Sequence, residues 1–299
     1  MQKITPFLWF DGKAEAAVNF YTSIFKNSKI INIKHWGEGG PFPKDQVMTA
    51  EFELNGLKFY AFDAGPQFKI NPSISFFAIF ETESEVDSAW KKLSEGGMAL
   101  MPLDKYPWSE KYGWCQDKFG VSWQMMMGKT QGQTIVPSLM FTKENSGKAE
   151  DAINLYTSVF KNSEIKNISR YEKGEQDVEG YIKYAEFILG NQKFAAMDSS
   201  GPHQFTFSEA ISLYVDCKDQ EEIDYFWNKL TSNGGQESMC GWLKDKFGVS
   251  WQIVPPVLPE LLNDKDKVKA GRVMQAMMKM KKIIIADLEK AAELVPSGA

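Results

Sequence analysis

Almost every distinctive stretch of this chain occurs twice. Gly12-Lys13-Ala14-Glu15 recurs as Gly147-Lys148-Ala149-Glu150. Tyr21-Thr22-Ser23-Ile24-Phe25-Lys26-Asn27-Ser28 recurs as Tyr156-Thr157-Ser158-Val159-Phe160-Lys161-Asn162-Ser163. Ala50-Glu51-Phe52 returns as Ala185-Glu186-Phe187, and Trp90 as Trp227. Asp117-Lys118-Phe119-Gly120-Val121-Ser122-Trp123-Gln124 returns letter for letter at 245–252. Five blocks in the same order identify a tandem duplication, which restricts the fold to two similar domains. They are expected at 1–128 and 134–256, joined by a polar Gly/Gln-rich link at 128–133 and followed by a tail at 257–299. The first copy carries an extra stretch around Leu103 to Lys111. A length of 299 residues suits two domains.

Within one copy the hydrophobic period changes in a regular way. Ile4 to Phe10 reads as a strand, Asp11-Gly12 as a turn, and Ala14 to Phe25 as a helix with apolar residues at steps of three and four. Strands follow at Lys29–Trp36, Val47–Leu54 and Leu57–Phe62, the last two joined by Asn55-Gly56, a strong hairpin signal. The order then restarts: a strand at Ser73–Phe80, a helix at Glu83–Glu95 ended by Gly96-Gly97, and short strands near Met98–Met101, Gly113–Gln116 and Val121–Met127. The fold class is α+β, with two βαβββ modules per domain forming a curved sheet cleft. Whether modules pair within a copy or across the two stays open.

Apolar residues make up 43% and charged residues 24%, a folded composition. The net charge of −5 is spread over mixed signs, so no nucleic-acid partner is expected. The longest apolar runs, such as 75–80 and 283–286, are too short for a membrane span, and the N-terminus has no apolar signal core. The expected location is cytoplasmic. Cys115, Cys217 and Cys240 form no C-x-x-C pair, which fits a reducing compartment without structural zinc.

The early G-K-A-E…Y-T-x-x-F block and the closing D-K-F-G-V-S-W-Q block resemble the PhnB-like branch of the vicinal oxygen chelate superfamily. Its relatives include glyoxalase I, extradiol dioxygenases, fosfomycin-resistance proteins and bleomycin-binding proteins. The resemblance implies tandem glyoxalase/bleomycin-resistance-like domains plus a C-terminal helix. Members are often labelled 3-demethylubiquinone-9 3-methyltransferase. The chain has no Gly-rich strand-to-helix unit with a following acidic residue of the kind a Rossmann-type methyltransferase uses.

The superfamily holds a divalent metal with His and Glu from a first, a middle and a last strand. The resemblance places those positions at Pro6 or its neighbour and at Pro137, at Thr49 and Tyr184, and at Gln124 and Gln252. Proline offers no donor, and a neutral amide is a poor ligand beside carboxylate or imidazole. The only histidines, His35 and His203, sit at none of these positions. No metal and no cofactor is therefore expected.

The candidate cleft residues are Thr49, Glu51, Trp114 and Gln124 in copy one, and Tyr184, Glu186, Trp242 and Gln252 in copy two. Thr49 and Glu51 share a strand face by the period of two. For the glutamates the competing reading is an ion pair at a sheet edge; for the glutamines it is a satisfied structural amide. Aromatics such as Trp9, Trp36, Tyr60, Trp108 and Tyr171 suit a flat apolar ligand or plain packing. Trp90, Trp123, Trp227 and Trp251 read as core, and Asp63 and Asp198 as turn residues before Gly-Pro. Cys115 reads as an unreactive thiol on a cleft-forming strand.

In the tail, Pro255-Pro256-Val257-Leu258-Pro259 breaks regular structure. Asp264 to Asp266 then cap one continuous helix to about Leu294, with a stripe of Val273, Met277, Met280, Ile284, Leu288, Ala291 and Val295. That stripe must be covered by the domains or by a second copy in a homodimer. The expected function is binding of a small apolar or aromatic molecule in a metal-free cleft. The alternatives are a superfamily enzyme with unusual ligands, such as Glu51 or Glu186 with Gln124 or Gln252, and a structural or regulatory module.

Overall fold

The computed structural model describes residues 2–37, 42–129 and 132–293. Thr130 and Gln131 of the link, and Leu294 and Val295 of the tail, lie outside the described residues. Copy one runs β1 (Ile4–Phe10), α1 (Ala14–Ile24), β2 (Lys29–His35), β3 (Val47–Leu54), β4 (Leu57–Asp63), β5 (Ile74–Phe80), α2 (Glu83–Ser94), β6 (Met98–Tyr106), β7 (Ser109–Gln116) and β8 (Ser122–Met127). Copy two runs β9 (Ile135–Phe141), α3 (Ala149–Val159), β10 (Glu164–Arg170), β11 (Ile182–Leu189), β12 (Gln192–Asp198), β13 (Ile211–Asp216), α4 (Gln220–Thr231), β14 (Gln236–Glu237), β15 (Trp242–Lys244) and β16 (Ser250–Val254). The extra stretch of copy one lengthens the β6–β7 hairpin beyond the two short strands expected there. At Asn55-Gly56, φ values of 46° and 82° allow the tight β3–β4 turn that the strand twist favours.

The chain divides into two compact units, 1–211 and 212–299, which differ from the two sequence repeats. The first unit contains a complete eight-stranded sheet in the order β10-β11-β12-β9-β5-β8-β7-β6. Half of this sheet comes from each copy, and the two halves join where β5 pairs antiparallel with β9. Modules therefore pair across copies in this sheet. The same unit holds the run β1-β4-β3-β2, in which β1 and β4 are parallel. In the second unit β13 lies parallel to β16, which continues to β15 and β14.

The first unit's core is a chain of rings. Trp123 contacts Tyr21 of α1 and Phe25 just after it at centroid distances of 5.2 and 5.1 Å, and Phe76 at 5.4 Å. Phe76 meets Phe59 of β4 at 5.1 Å. Trp123, like Trp251 in the second unit, is fully buried, as the sequence predicts. Trp227 is buried too, while Trp90 is half-buried over Gly113 of β7.

Buried carboxylates hold helix starts against strands. α1 and α3 begin after Lys13 and Lys148, neither of which supplies a side-chain cap. Asp63 Oδ1 instead accepts from the Lys13 and Ala14 N–H groups at 2.8 and 3.0 Å, and its Oδ2 accepts from Val47 N–H at 3.0 Å. Asp198 does the same with Gly147, Ala149 and Ile182. This corrects the turn-residue reading of Asp63 and Asp198: each ties the first turn of a helix to the start of a neighbouring strand. The repeated D-K-F-G-V-S-W-Q block has a similar basis. Asp117 accepts from the Phe119 and Val121 N–H groups and the Trp123 indole, and Asp245 from Phe247, Val249 and Trp251.

The tail departs from one continuous helix. α5 (Val257–Leu262) and α6 (Lys267–Met277, capped by Asp266) precede a non-helical strap, and α7 (Ile285–Glu293) follows it. The helix breaks because the carbonyls of Met280 and Lys281 accept from Cys240 and Gly241 N–H groups, both at 2.7 Å. Gln220 of α4 accepts from Ile285 N–H and donates to the Ile283 carbonyl. A Cβ on Gly241 (φ 84°) would lie 2.9 Å from the Ile253 carbonyl and 3.1 Å from Ile283. Of the stripe, Val273, Leu288 and Ala291 are buried within their own unit and Met277, Met280 and Ile284 are half-buried; Ile283, outside the stripe, is fully buried, and Arg272 donates from α6 to the Ala291 and Ala292 carbonyls. Among the described residues no helix is long and apolar enough to cross a membrane.

Asp63→Ala leaves three N–H groups without their acceptor and should cost about 2–4 kcal/mol in urea unfolding. Ile283→Ala should cost about 2–4 kcal/mol and raise amide exchange of Cys240 and Gly241, leaving β3 and β4 protected.

Candidate functional site

The eight-stranded sheet has two chemically distinct faces. One packs on helices through Phe76, Trp123 and Cys115. The other carries a buried cluster of Phe77, Tyr112, Val136 and Ala195, against which Met101, Tyr106, Trp114, Met126, Tyr184 and Met197 pack half-buried. Tyr184 on β11 and Phe77 on β5 are three strand steps apart, about 14 Å on a flat sheet. Their ring centroids are 5.9 Å apart and perpendicular, so the sheet curls around this face.

A neutral hydrogen-bond chain runs through the cluster. Tyr112 Oη donates to Gln124 Oε1 at 2.6 Å, and Gln124 Nε2 donates to Ser75 Oγ at 2.8 Å. Trp114 Nε1 donates to Ser122 Oγ at 2.7 Å. Gln124 is 2% exposed. Beyond the cluster, Tyr106 stacks on the exposed Trp108 at 5.0 Å and meets Tyr112 edge-on at 5.5 Å.

Four of the expected residues, Trp114, Gln124, Tyr184 and Glu186, therefore lie on one face of one sheet. Thr49 and Glu51 lie instead on β3, in the β1-β4-β3-β2 run, so Glu51 and Gln124 belong to different sheets. Glu51 pairs with Lys58 at 2.6 Å, the ion-pair reading. Gln252 and Trp242 lie in the second unit, directly opposite each other on β16 and β15; Gln252 donates to Ser212 at 2.9 Å, repeating the Gln124–Ser75 bond. Cys240 stands two residues before Trp242, where copy one has Tyr112 two before Trp114.

One expectation is corrected. Pro137 pairs with Phe76 and so faces the helices; the residues of β9 on the cluster face are Val136 and Ser138. Pro6 likewise alternates with Phe7, whose ring meets Tyr60 and Phe62. Cys115 is on a cleft-forming strand but points to the helix face, where burial, then Asp117, pushes its thiol up to about 12. Tyr112, Phe77, Ser75 and Ser138 join the site without having been singled out in the sequence. Alternation along β5 and β9 carries their signal once those strands are known to be neighbours.

The donor set does not fit a divalent cation. Gln124 has both ends of its amide engaged. Burial, then the charge of Glu186, holds the Tyr184 phenol protonated up to about 12. Among the described residues no three His, Cys, Asp or Glu side chains gather as metal ligands. What the face can do is hold flat apolar surface and exchange neutral hydrogen bonds.

The raised phenol of Tyr184 has a signed consequence. As pH rises from 10 towards 12 the unfolded chain ionises first, so the native state loses stability. Tyr184→Phe should remove about 1 kcal/mol of that loss, read as urea midpoints at pH 9 and pH 11.

The profile of the family described as 3-demethylubiquinone-9 3-methyltransferase matches residues 2–126 and 133–254. The PhnB protein of Bacillus cereus is 46% identical over 42% of this chain and 100% of its own, with a TM-score of 0.42. Glyoxalase I from Zea mays is 12% identical over 89% of this chain and 96% of its own, with a TM-score of 0.60. A proposed dioxygenase from Bacillus subtilis is 11% identical over 99% and 97%, with a TM-score of 0.51. The last two show the fold alone. No curated protein matches the chain significantly. Matched by one profile in both copies, the chain belongs to the PhnB-like family that carries the 3-demethylubiquinone-9 3-methyltransferase description.

Proposed function

We propose that the cluster face of the eight-stranded sheet binds a small apolar or aromatic molecule without a metal ion. One observation carries this reading: half-buried aromatic and methionine side chains surround a buried neutral Tyr112–Gln124–Ser75 chain. Ligand sites of this kind combine apolar walls with a few fixed polar groups. Methionines such as Met126 and Met197 adapt to different ligand outlines. The methyl-transfer activity in the family description is no part of this reading, because the eight-stranded sheet is mixed and is not a doubly wound parallel sheet with a glycine-rich phosphate turn. Three cysteines, odd in number and without a C-x-x-C pair, support a reducing, cytoplasmic setting.

The test is a thermal-shift screen of flat aromatic compounds with chelator present. A ligand at 100 times its Kd should raise Tm by roughly 4–6 °C, and Tyr184→Ala or Trp114→Ala should remove most of the shift. Stabilisation that requires a stoichiometric metal, or none by any compound with or without metals, overturns the reading.

A further inference from the structure

We propose that Ser138 and Ser75 form a polar notch that takes one neutral oxygen, a hydroxyl or carbonyl, of a flat apolar ligand. This rests on the binding reading above and names the ligand's chemistry more closely. The register places Ala195, Ser138, Ser75 and Ser122 side by side on four consecutive strands, β12, β9, β5 and β8. These small residues make a trough across the strands. The next row on one side is Val136, Phe77 and Gln124, and on the other side β12 and β9 contribute Met197 and Met140.

The hydroxyls in the trough differ in occupation. Ser122 accepts from Trp114 and Ser75 accepts from Gln124. Ser138 is 1% exposed, yet its Oγ has no hydrogen-bond partner. Buried hydroxyls almost always have partners, so this one requires an explanation. Ser138 shares the cluster face with Val136, and it lies directly opposite Ser75. Residues so paired carry Cβ atoms about 4.5–5.5 Å apart. One oxygen atom between them can accept from one hydroxyl and, if it is itself a hydroxyl, donate to the other.

The surrounding groups set the ligand class. Phe77 and Tyr184, packed edge to face, line this side of the sheet with aromatic rings, and Met126 and Met197 are half-buried and able to swing aside. A carboxylate would surrender its hydration to two neutral hydroxyls at a site almost without solvent, an unfavourable exchange. A single neutral oxygen on an aromatic frame fits the notch.

The experiment measures Kd by calorimetry for 1-naphthol, naphthalene and 1-naphthoate on the full chain and on Ser138→Ala. Wild type should hold 1-naphthol about three- to tenfold tighter than naphthalene, the span of one neutral hydrogen bond, and 1-naphthoate weakest. Ser138→Ala should level 1-naphthol with naphthalene while leaving naphthalene unchanged. Its Tm should be unchanged or higher, because it removes an unmatched hydroxyl. If that variant fails to fold, Ser138→Cys, close in size and a weak donor, should give the same levelling. Equal Kd values for 1-naphthol and naphthalene on wild type overturn the notch and leave the binding reading standing; the hydroxyl then serves a structural water only. Tightest binding of 1-naphthoate also overturns it. Binding of none of the three probes overturns the notch together with the apolar-groove reading.

Discussion

The structure depends on carboxylates used as backbone anchors. Two helices start on lysines that cannot cap them, so their free N–H groups turn to Asp63 and Asp198 on strands far along the chain. Each carboxylate also takes the first N–H of a second strand, which fixes helix, strand and strand at one point. Asp117 and Asp245 act in the second module of each copy, closing a turn and holding a buried indole. A carboxylate removed from water needs such partners, and these sites supply them from groups that would otherwise be orphaned.

The candidate site is a consequence of that anchoring. Asp117 holds Trp123 in the core, and strict alternation then turns Gln124 to the opposite face. There the amide meets Tyr112 and Ser75, from a neighbouring strand on each side. Curling of the sheet brings Tyr184 from β11 over Phe77, so residues distant in sequence share one face. Its electrostatics are those of neutral, desolvated groups: phenols kept protonated by burial and an amide occupied at both ends.

Most of this fold is legible in the sequence because its signals are local. Repeat blocks, the Asn55-Gly56 turn, the period shifts from two to 3.6 and the core tryptophans all depend on neighbours a few residues apart. The cluster positions of Gln124, Trp114 and Tyr184 follow from alternation alone. What stays hidden is non-local. The pairing of β5 with β9 is set by tertiary packing, so Ser75 and Ser138 cannot be matched beforehand. The faces of Pro6 and Pro137 require strand register to within one residue. The tail's break has no glycine or proline to announce it; bonds from Cys240, Gly241 and Gln220 override an unbroken helical pattern.

The cross-copy sheet also bears on how such a chain can diverge. β5–β8 and β9–β12 must meet for the curled face to exist, and here both are parts of one polypeptide. Covalent linkage makes their encounter intramolecular, independent of dilution. It also frees the repeats from the symmetry that identical subunits impose, because a change in one copy is no longer imposed on the other. The chain shows that freedom at one position: a tyrosine beside Gln124 in the first copy, and in the second a cysteine whose backbone N–H holds the tail.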